Sequence, residues 1–398
     1  MKALSFLGVR QYQPATYVWR ERGQEKSFNS NLFPEAIVHI FKPTELFVLV
    51  TSEAKEKNFY TLRERLNGLV SLYPIDIPDG KSEEELWEIF EKCSEVVHEK
   101  DELLLDITHA FRSLPLMVFS AAVFLIRIKK ASIRHIVYGA FEAKDIQGRA
   151  PIFDLTPLLG LIDWLSGVEA FLTRSDAELM AQKMKDIQSQ VWKTSKAKEL
   201  PKLLQTVGNL FNSLALALHL SRPLDVMKTA NDLLPKIEEA REEISQWAKP
   251  LVLIVDQIHQ EISRLAHAKP EKLDLENLEK QLNLIEYYLN KKLIVQAITL
   301  AREWIVSWKL LQNGNANFWL NKNYRIEVEK ELGKRIRDKR SERESTKLEK
   351  DLEAWTHLVE LRDDVAHCGM RDQPISAGDI EQQAKKIPHL LRSLLGNT

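Results

Sequence analysis

Arg362 and His367 are the residues whose types and spacing could support acid–base chemistry on a phosphate. They stand in the stretch LRDDVAHCGM, near the end of a predicted helix. A histidine titrates near neutral pH and can accept or donate a proton, while an arginine stays charged and grips phosphate oxygens. A helix terminus closed by Gly369 explains the same residues without catalysis. The pattern alone does not decide, because about half an instance is expected by chance in this composition.

A second polar group follows a predicted buried strand, in the stretch DITHAFRS. In an open parallel sheet, ligands bind beyond the carboxyl ends of the strands. The N–H groups at the start of the next helix, together with Thr108 and Arg112, could hold a phosphate or a ribose. A cap at Thr108, local bonding at Asp106 and a surface position for His109 explain the stretch equally well. The residues alone leave both interpretations open.

Two further turns follow predicted strands at the same edge of the sheet. They are Gly8-Val9-Arg10-Gln11-Tyr12 and Thr51-Ser52. The first turn contains one glycine, whereas close approach of a dinucleotide pyrophosphate needs several, and the P-loop pattern is missing too. A nicotinamide cofactor is therefore disfavoured at this edge.

The elements that must position these residues differ between the two halves of the chain. Up to about residue 165, β-branched runs alternate with amphipathic stretches, which is typical of βαβ units and a mostly parallel, Rossmann-like sheet. Strands are predicted at 3–8, 46–51, 72–77, 103–108 and 133–141, with 151–155 antiparallel to the last, and helices near 31–41, 55–69, 82–99 and 113–130. After Trp164 the apolar period is helical throughout. Helices are predicted near 160–190, 198–220, 223–248, 250–267, 274–290, 292–312, 345–367 and 376–395.

Composition narrows the function classes. The 398 residues carry a formal net charge of −1, so any site for nucleic acid or an acidic ligand must be local. Cys93 and Cys368 lie in no metal-ligand spacing, which disfavours a disulfide framework or a zinc site. The mixed-charge run 329–351 predicts a solvated helix face or a mobile loop rather than an RNA track. No apolar run has the length of a membrane span or signal peptide, so we expect a cytoplasmic protein. From the residue types and spacing we also expect no bound metal.

The segment DITHA resembles the DxTHG signature of CRISPR-associated proteins with a CARF domain, the sensor of cyclic oligoadenylate messengers. LSFLGVRQYQPATY resembles that family's first strand and turn, VTSEAKEKNF its second, and YGAFEAKDIQGRAPIFDL its closing hairpin. Ala110 stands where the family has glycine, and Val9-Arg10 where Thr-Gly is common. The resemblance implies a ring of four adenylates, with six as the alternative, as activator. It implies ligand-binding positions at Gly8, Val9, Arg10, Tyr12, Thr51, Ser52, Asp106, Thr108, His109, Ala110 and Arg112.

Proteins of this kind commonly join the sensor to a helical HEPN ribonuclease domain marked by R-x-x-x-x-H, which here is Arg362 to His367. The helix at 293–311 resembles the other long helix of such a domain, and Asp363 stands where a neutral polar residue is frequent. Five residues on a helix turn the side-chain direction by about 140°, so one copy makes a poor site. The resemblance implies a homodimer, or a higher oligomer, that cleaves single-stranded RNA without a metal to 2′,3′-cyclic phosphate ends. It implies a sensor at 1–165, a helical connecting region at 166–280 and a HEPN domain at 281–398.

Two other functions remain open from the sequence. In one, the helical half only dimerises or recruits a partner, and the protein is a regulatory sensor without catalysis. In the other, Thr108, His109 and Arg112 also cleave the messenger, so that the first half is a ring nuclease. The ring size and the preferred RNA base are not determined by the residues.

Overall fold

A mostly parallel sheet organises the first half of the chain. The computed structural model describes residues 1–21, 23–109, 114–194, 200–252, 254–341 and 349–396, and in this part the sheet has eight strands. They are β1 Lys2–Leu7, β2 Ala15–Glu21, β3 Gln24–Ser30, β4 Glu45–Val50, β5 Ser71–Asp76, β6 Glu102–Asp106, β7 Ser132–Gly139 and β8 Arg149–Asp154. Their order is β3-β2-β8-β7-β6-β1-β4-β5. The pairs β1–β4, β1–β6, β4–β5 and β6–β7 are parallel, and β8 is antiparallel to β7, which confirms the predicted sheet.

Helices cover both faces of this sheet, and β1 shows why. Its residues Ala3 and Leu7 belong to one buried cluster, while Leu4 and Phe6 belong to another. A strand that is buried on both faces has a continuous apolar sequence rather than an alternating one. The helices are α1 Phe33–Phe41, α2 Ser52–Ala54, α3 Tyr60–Arg65, α4 Glu83–Glu95 and α5 Leu114–Ile128, with a π-helical turn at Lys55–Phe59 between α2 and α3.

The edges of the sheet carry features that oppose further strand pairing. β5 is at one edge and contains Pro74, which has no N–H to donate. β3 is at the other edge, in a hairpin with β2 that the sequence did not predict. β3 has the sequence QEKSFNS, in which one apolar residue stands among polar ones, so no alternation indicates a strand. Neither β2 nor β3 was among the strands predicted from the sequence.

The chain divides into two units, 1–162 and 163–398, and the described part of the second is helical. Its helices are α6 Pro157–Arg174, which begins in the first unit, α7 Glu178–Thr194, α8 Leu204–His219, α9 Pro223–Glu239, α10 Arg241–Trp247, α11 Lys249–Val252, α12 Val255–Ser263, α13 Leu275–Asn290, α14 Ile294–Gln312, α15 Lys322–Ser341, α16 Lys350–Ala366, α17 Ala377–Ala384 and α18 Ile387–Leu395. In the part of the chain that the structure describes, no helix is both long and apolar enough to cross a lipid bilayer.

Several predicted helices are divided in the structure. The one predicted at 160–190 ends before Ser175, whose φ of 59° is left-handed. Those at 223–248, 250–267 and 376–395 are each two helices. α15 covers the first part of the mixed-charge run 329–351, for which a solvated helix face was one of the two predictions. Apolar periodicity continues across breaks of one to three residues, so it does not locate them. Residues 342–348 of the mixed-charge run, and Leu253, lie outside the described residues.

The core of the second unit is built around α14. Trp304 is fully buried, and its Nε1 donates a hydrogen bond to the carbonyl of Leu278 in α13 at 2.8 Å. On another side, the guanidinium of Arg302 lies 5.1 Å from the ring centre of Trp355 in α16. The first contact holds α13 against α14, and the second holds α16, the helix that carries Arg362, against α14.

Two helical glycines test how closely helices pack in each unit. A Cβ on Gly208 of α8 would lie 2.9 Å from the carbonyl oxygen of Ala181 in α7, whereas one on Gly160 of α6 would meet nothing within 4 Å. We expect Gly208→Ala to lower the free energy of unfolding by about 1–2 kcal/mol, because overpacking outweighs the gain in helix propensity. Gly160→Ala should raise it by about 0.5–1 kcal/mol. Urea unfolding measures both, and equal effects would contradict the close packing of α7 and α8.

Candidate functional site

A cavity of about 570 Å³ lies beyond the carboxyl ends of β1, β6 and β7. β1 has β4 on one side and β6 on the other, so the cavity is at the point where the strand order reverses, the usual ligand site of an open α/β sheet. The described residues that line it come mainly from the turns after these strands. They are Gly8, Val9, Arg10, Gln11, Tyr12, Gln13, Tyr17, Thr108, His109, Tyr138, Gly139, Phe141 and Glu142.

Asp106 fixes the loop that carries Thr108 and His109. Its carboxylate is fully buried and accepts hydrogen bonds from Ser5 Oγ of β1 at 2.5 Å and from the Thr108 N–H at 2.7 Å. Burial raises the pKa of Asp106 to about 6, against the lowering effect of these hydrogen bonds. Asp106 therefore supports the loop from below and does not line the cavity.

Thr108 connects this loop to the end of β7. Its Oγ1 accepts a hydrogen bond from the Gly139 N–H at 2.8 Å. A Cβ on Gly139 would lie 2.4 Å from the ring of Phe33, the first residue of α1, so only glycine fits there. Thr108, Gly139 and the start of α1 are thus held together at the floor of the cavity.

His109 lies between α1 and Tyr12. Its Nε2 accepts a hydrogen bond from the Phe33 N–H at 3.3 Å, which supplies the cap that Leu32, the residue before α1, does not. Since Nε2 is an acceptor, the proton of the neutral ring is on Nδ1. Burial lowers the pKa of His109 to about 4. Its ring stacks on that of Tyr12, with centroids 3.9 Å apart.

The turn after β1 is held by two side chains. The Gly8 N–H donates to Tyr12 Oη at 2.9 Å, and a Cβ on Gly8 would lie 2.7 Å from the same oxygen. Asn58, which the sequence analysis missed, donates from Nδ2 to the carbonyls of Gly8 and Arg10 at 2.8 and 3.1 Å. This leaves the exposed Arg10 guanidinium at the cavity, where it makes no hydrogen bond or ion pair with the residues that the structure describes.

The sequence-predicted ligand residues fall into three groups. Six line the cavity: Gly8, Val9, Arg10, Tyr12, Thr108 and His109. Three do not, because Asp106 is beneath the loop, Thr51 Oγ1 caps α2 by accepting from the Ala54 N–H at 3.3 Å, and Ser52 begins that helix. Ala110 and Arg112 lie outside the described residues. Aromatic rings and an exposed arginine suit a ligand with planar rings and negative charge.

Arg362 and His367 lie at the end of α16 in the second unit. Arg362 is partly exposed, with its Nη1 3.1 Å from Asp363 Oδ1, and His367 is exposed as the residue that ends the helix. Asp364 is 1% exposed and accepts a hydrogen bond from the Ile375 N–H at 3.1 Å, so it ties the following loop to the helix. His357, by contrast, has its Nε2 3.4 Å from the carbonyl of Gln383. No group of three or more metal-ligating side chains occurs among the described residues.

Comparisons with known proteins match both units. Residues 2–142 match the family model described as the CARF domain of CRISPR system endoribonuclease Csx1, and residues 160–291 match the second domain of CRISPR-associated protein MJ1674. CRISPR-associated protein MJ1674 of Methanocaldococcus jannaschii is 30% identical over 146 residues, 33% of this chain and 23% of that protein, so less than a quarter of it is spanned. Enterococcus italicus Csm6 bound to cyclic hexa-2′-fluoro-hexa-dAMP aligns over 99% of this chain and 93% of that one, with 11% identity and a TM-score of 0.42. The predicted CARF-like first unit is confirmed, and the HEPN assignment stays a prediction.

The hydrogen bond to His109 predicts an unusual titration. Because burial lowers its pKa to about 4, the ring should stay neutral and protonated on Nδ1 from pH 7 down to about 5. Its stabilising contribution is then present above an ordinary histidine pKa of about 6.5 and is lost as the pH falls through about 4. NMR of labelled histidines, with the His109 signal assigned by its loss in His109→Gln, measures this. A midpoint near the ordinary histidine value of about 6.5 would contradict it.

Asp364 and Asp363 are neighbours with different surroundings. Removing the buried Asp364 carboxylate leaves the Ile375 N–H without its acceptor, so Asp364→Ala should lower the free energy of unfolding by about 1–3 kcal/mol. The Asp363 side chain is 48% exposed. Asp363→Ala should therefore change the free energy of unfolding by less than about 0.5 kcal/mol. Chemical denaturation of the two variants provides the comparison. Equal losses would show that the loop does not depend on Asp364.

Proposed function

We propose that this chain is a cytoplasmic, metal-independent endoribonuclease of type III CRISPR defence that a cyclic oligoadenylate activates. The observation that carries the proposal is the match of residues 2–142 to the CARF domain of a CRISPR endoribonuclease, in a unit whose switch-point cavity is lined by Gly8, Thr108 and His109. The sensor comprises 1–165, a helical connecting region 166–280, and the catalytic HEPN domain 281–398.

The cavity has the groups that an adenylate needs. Tyr12, Tyr138 and Phe141 offer ring faces for adenine, and the exposed Arg10 offers a cation for a phosphate. Asp106 acts by holding Thr108 in place. Ala110 and Arg112, which lie outside the described residues, are proposed as ligand-binding positions from the sequence resemblance alone. A ring with rotational symmetry binds on a two-fold axis, so one ring of four adenylates, or of six, contacts two copies of this chain.

Arg362 and His367 supply the chemistry of RNA cleavage. One histidine takes the proton of the 2′-hydroxyl, which attacks the phosphorus, and the second histidine of the dimer protonates the departing 5′-oxygen. The arginines stabilise the charge that develops on the phosphate oxygens. The products are a 2′,3′-cyclic phosphate and a 5′-hydroxyl. The exposure of His367 at the end of α16 supports its access to a strand of single-stranded RNA.

Activation requires that the messenger binds one arrangement of the dimer more tightly than another. A small movement is sufficient, because a displacement of catalytic groups by about 1 Å can change the rate roughly a hundredfold. Cleavage of the messenger by His109 is the weaker alternative. The Nε2 lone pair is already used by the Phe33 N–H, and its pKa of about 4 makes the ring a poor base.

The proposal predicts RNA cleavage that depends on both the messenger and the pair of Arg362 and His367. Purified protein should cleave labelled single-stranded RNA only with a cyclic oligoadenylate of the matching ring size, with or without EDTA. Arg362→Ala and His367→Ala should each reduce the rate by at least about a hundredfold, while the affinity for the messenger is unchanged. His357→Ala, at a histidine outside the pair, is the control and should retain activity.

The contrary outcomes are distinct. Absence of cleavage with every ring tested would favour the non-catalytic sensor. Loss of messenger after incubation in the absence of RNA would favour the ring nuclease. Full activity of Arg362→Ala or His367→Ala would place the catalytic groups elsewhere.

A further inference from the structure

A second cavity, of about 280 Å³, lies within the helical unit, where α9 begins beside α13, α14 and α15. Its apolar lining includes Leu224, Leu300 and Trp319, and polar and charged residues complete it. Drug-sized ligands occupy pockets of about 300–1,000 Å³, so this one suits a smaller planar molecule. None of its lining residues belongs to the Arg362–His367 pair.

Gln281 supplies the first polar group at this cavity. It is only 2% exposed, and its orientation is fixed by Asn277, whose Nδ2 donates to the carbonyls of Pro270 and Lys272 at 2.8 and 2.9 Å. Asn277 Oδ1 must therefore accept from Gln281 Nε2, at 2.7 Å. Gln281 Oε1 is left at the cavity without a hydrogen-bond partner among the described residues. An acceptor in this position is available to a donor carried by a ligand.

Glu303 supplies the second polar group. Its Oε1 accepts from Arg302 at 2.7 Å and its Oε2 from Arg325 at 2.6 Å, which leaves one lone pair on each oxygen. Burial raises the pKa of Glu303, but the attraction of Arg325 and Arg302 outweighs it, so the net pKa is lowered and the carboxylate is charged at neutral pH.

Arg325 lines the same cavity but has few donors to offer. Its Nη1 donates to Ser307 Oγ and to the Trp319 carbonyl, at 3.1 and 2.9 Å, and its Nη2 donates to the carbonyl and carboxylate of Glu303. With these N–H groups already bonded, the polar side of the cavity presents mainly acceptors, at Gln281, Glu303 and Asp225. A ligand must bring the donors.

We propose that this cavity binds a guanine base. The Watson–Crick edge of guanine carries two adjacent donors, N1–H and the 2-amino group, which match the acceptors of Glu303 and Gln281. Adenine presents one donor beside an acceptor, which would face the Glu303 carboxylate unfavourably. The flat base has Trp319 and Leu300 as apolar walls. The exposed Arg222, whose Nε lies 3.5 Å from Asp225 Oδ2, provides a cation for an attached phosphate in competition with that carboxylate.

The base can come from a free guanine nucleotide or from an RNA strand, and binding measurements separate the two sources without any need for cleavage. Calorimetry of the full chain with guanosine, inosine and adenosine monophosphates tests the first source. We expect guanosine monophosphate to bind most tightly, inosine monophosphate more weakly because it lacks the 2-amino group, and adenosine monophosphate at least about tenfold more weakly than guanosine monophosphate.

Oligoribonucleotides with one guanosine or with adenosine alone, added to the His367→Ala chain, test the second source. A guanine preference that is seen with the oligonucleotides but not with the mononucleotides supports the proposal and identifies an RNA strand as the source. A guanine preference with the mononucleotide identifies a free nucleotide. Equal binding of guanine and adenine forms, or no binding in either experiment, overturns the proposal.

Variants locate the binding to the cavity. Glu303→Gln replaces one acceptor oxygen by a donor. It should weaken the binding of guanosine monophosphate, or of the guanosine-containing strand, at least about tenfold. Glu286→Gln, at a carboxylate that pairs with Arg392 and does not line this cavity, is the control and should bind as the parent chain does. If Glu303→Gln lowers the melting temperature, Leu224→Trp tests the same point by filling the cavity from its apolar wall. Parent-like binding by the folded variants would exclude this site.

Discussion

One buried carboxylate determines the arrangement of the first unit. Asp106 ends β6 inside the protein, where a charged group is stable only if its oxygens are hydrogen-bonded. It obtains these bonds from β1 and from the backbone of its own loop, through Ser5 and Thr108. The two central strands and the loop that forms the cavity floor are thereby fixed relative to one another. The position of His109, and through it the start of α1, depends on this arrangement.

Much of the sheet could be predicted because its central strands are buried on both faces and are therefore continuously apolar. The β2–β3 hairpin could not, because β3 is a polar edge strand that is stabilised by pairing with β2 rather than by burial of its own side chains. The helical half shows the same limit. Its apolar period persists through Ser175, where a left-handed residue ends one helix, so the sequence indicates helices but not where the chain turns between them.

The part of the candidate site that could be predicted consists of residues that directly follow predicted strands. Gly8, Thr108 and His109 line the cavity for that reason. Asn58 was missed, because its contact with the Gly8 carbonyl joins residues 50 positions apart and no local pattern encodes it. Thr51 shows the reverse case, since it follows a strand but its hydroxyl caps the next helix. Position beyond a strand selects candidates, and long-range hydrogen bonds decide which of them face a ligand.

The proline in β5 and the polar character of β3 have a consequence for how copies of this unit can associate. Continuation of a sheet from one molecule into the next needs a run of available N–H and C=O groups at an edge, which is also the route to aggregation. Pro74 interrupts that run at one edge, and the charged residues Glu25 and Lys26 make the other edge unfavourable for a second strand. Self-association of this unit would therefore use helix faces and loops. Strands of a second copy would not extend the sheet.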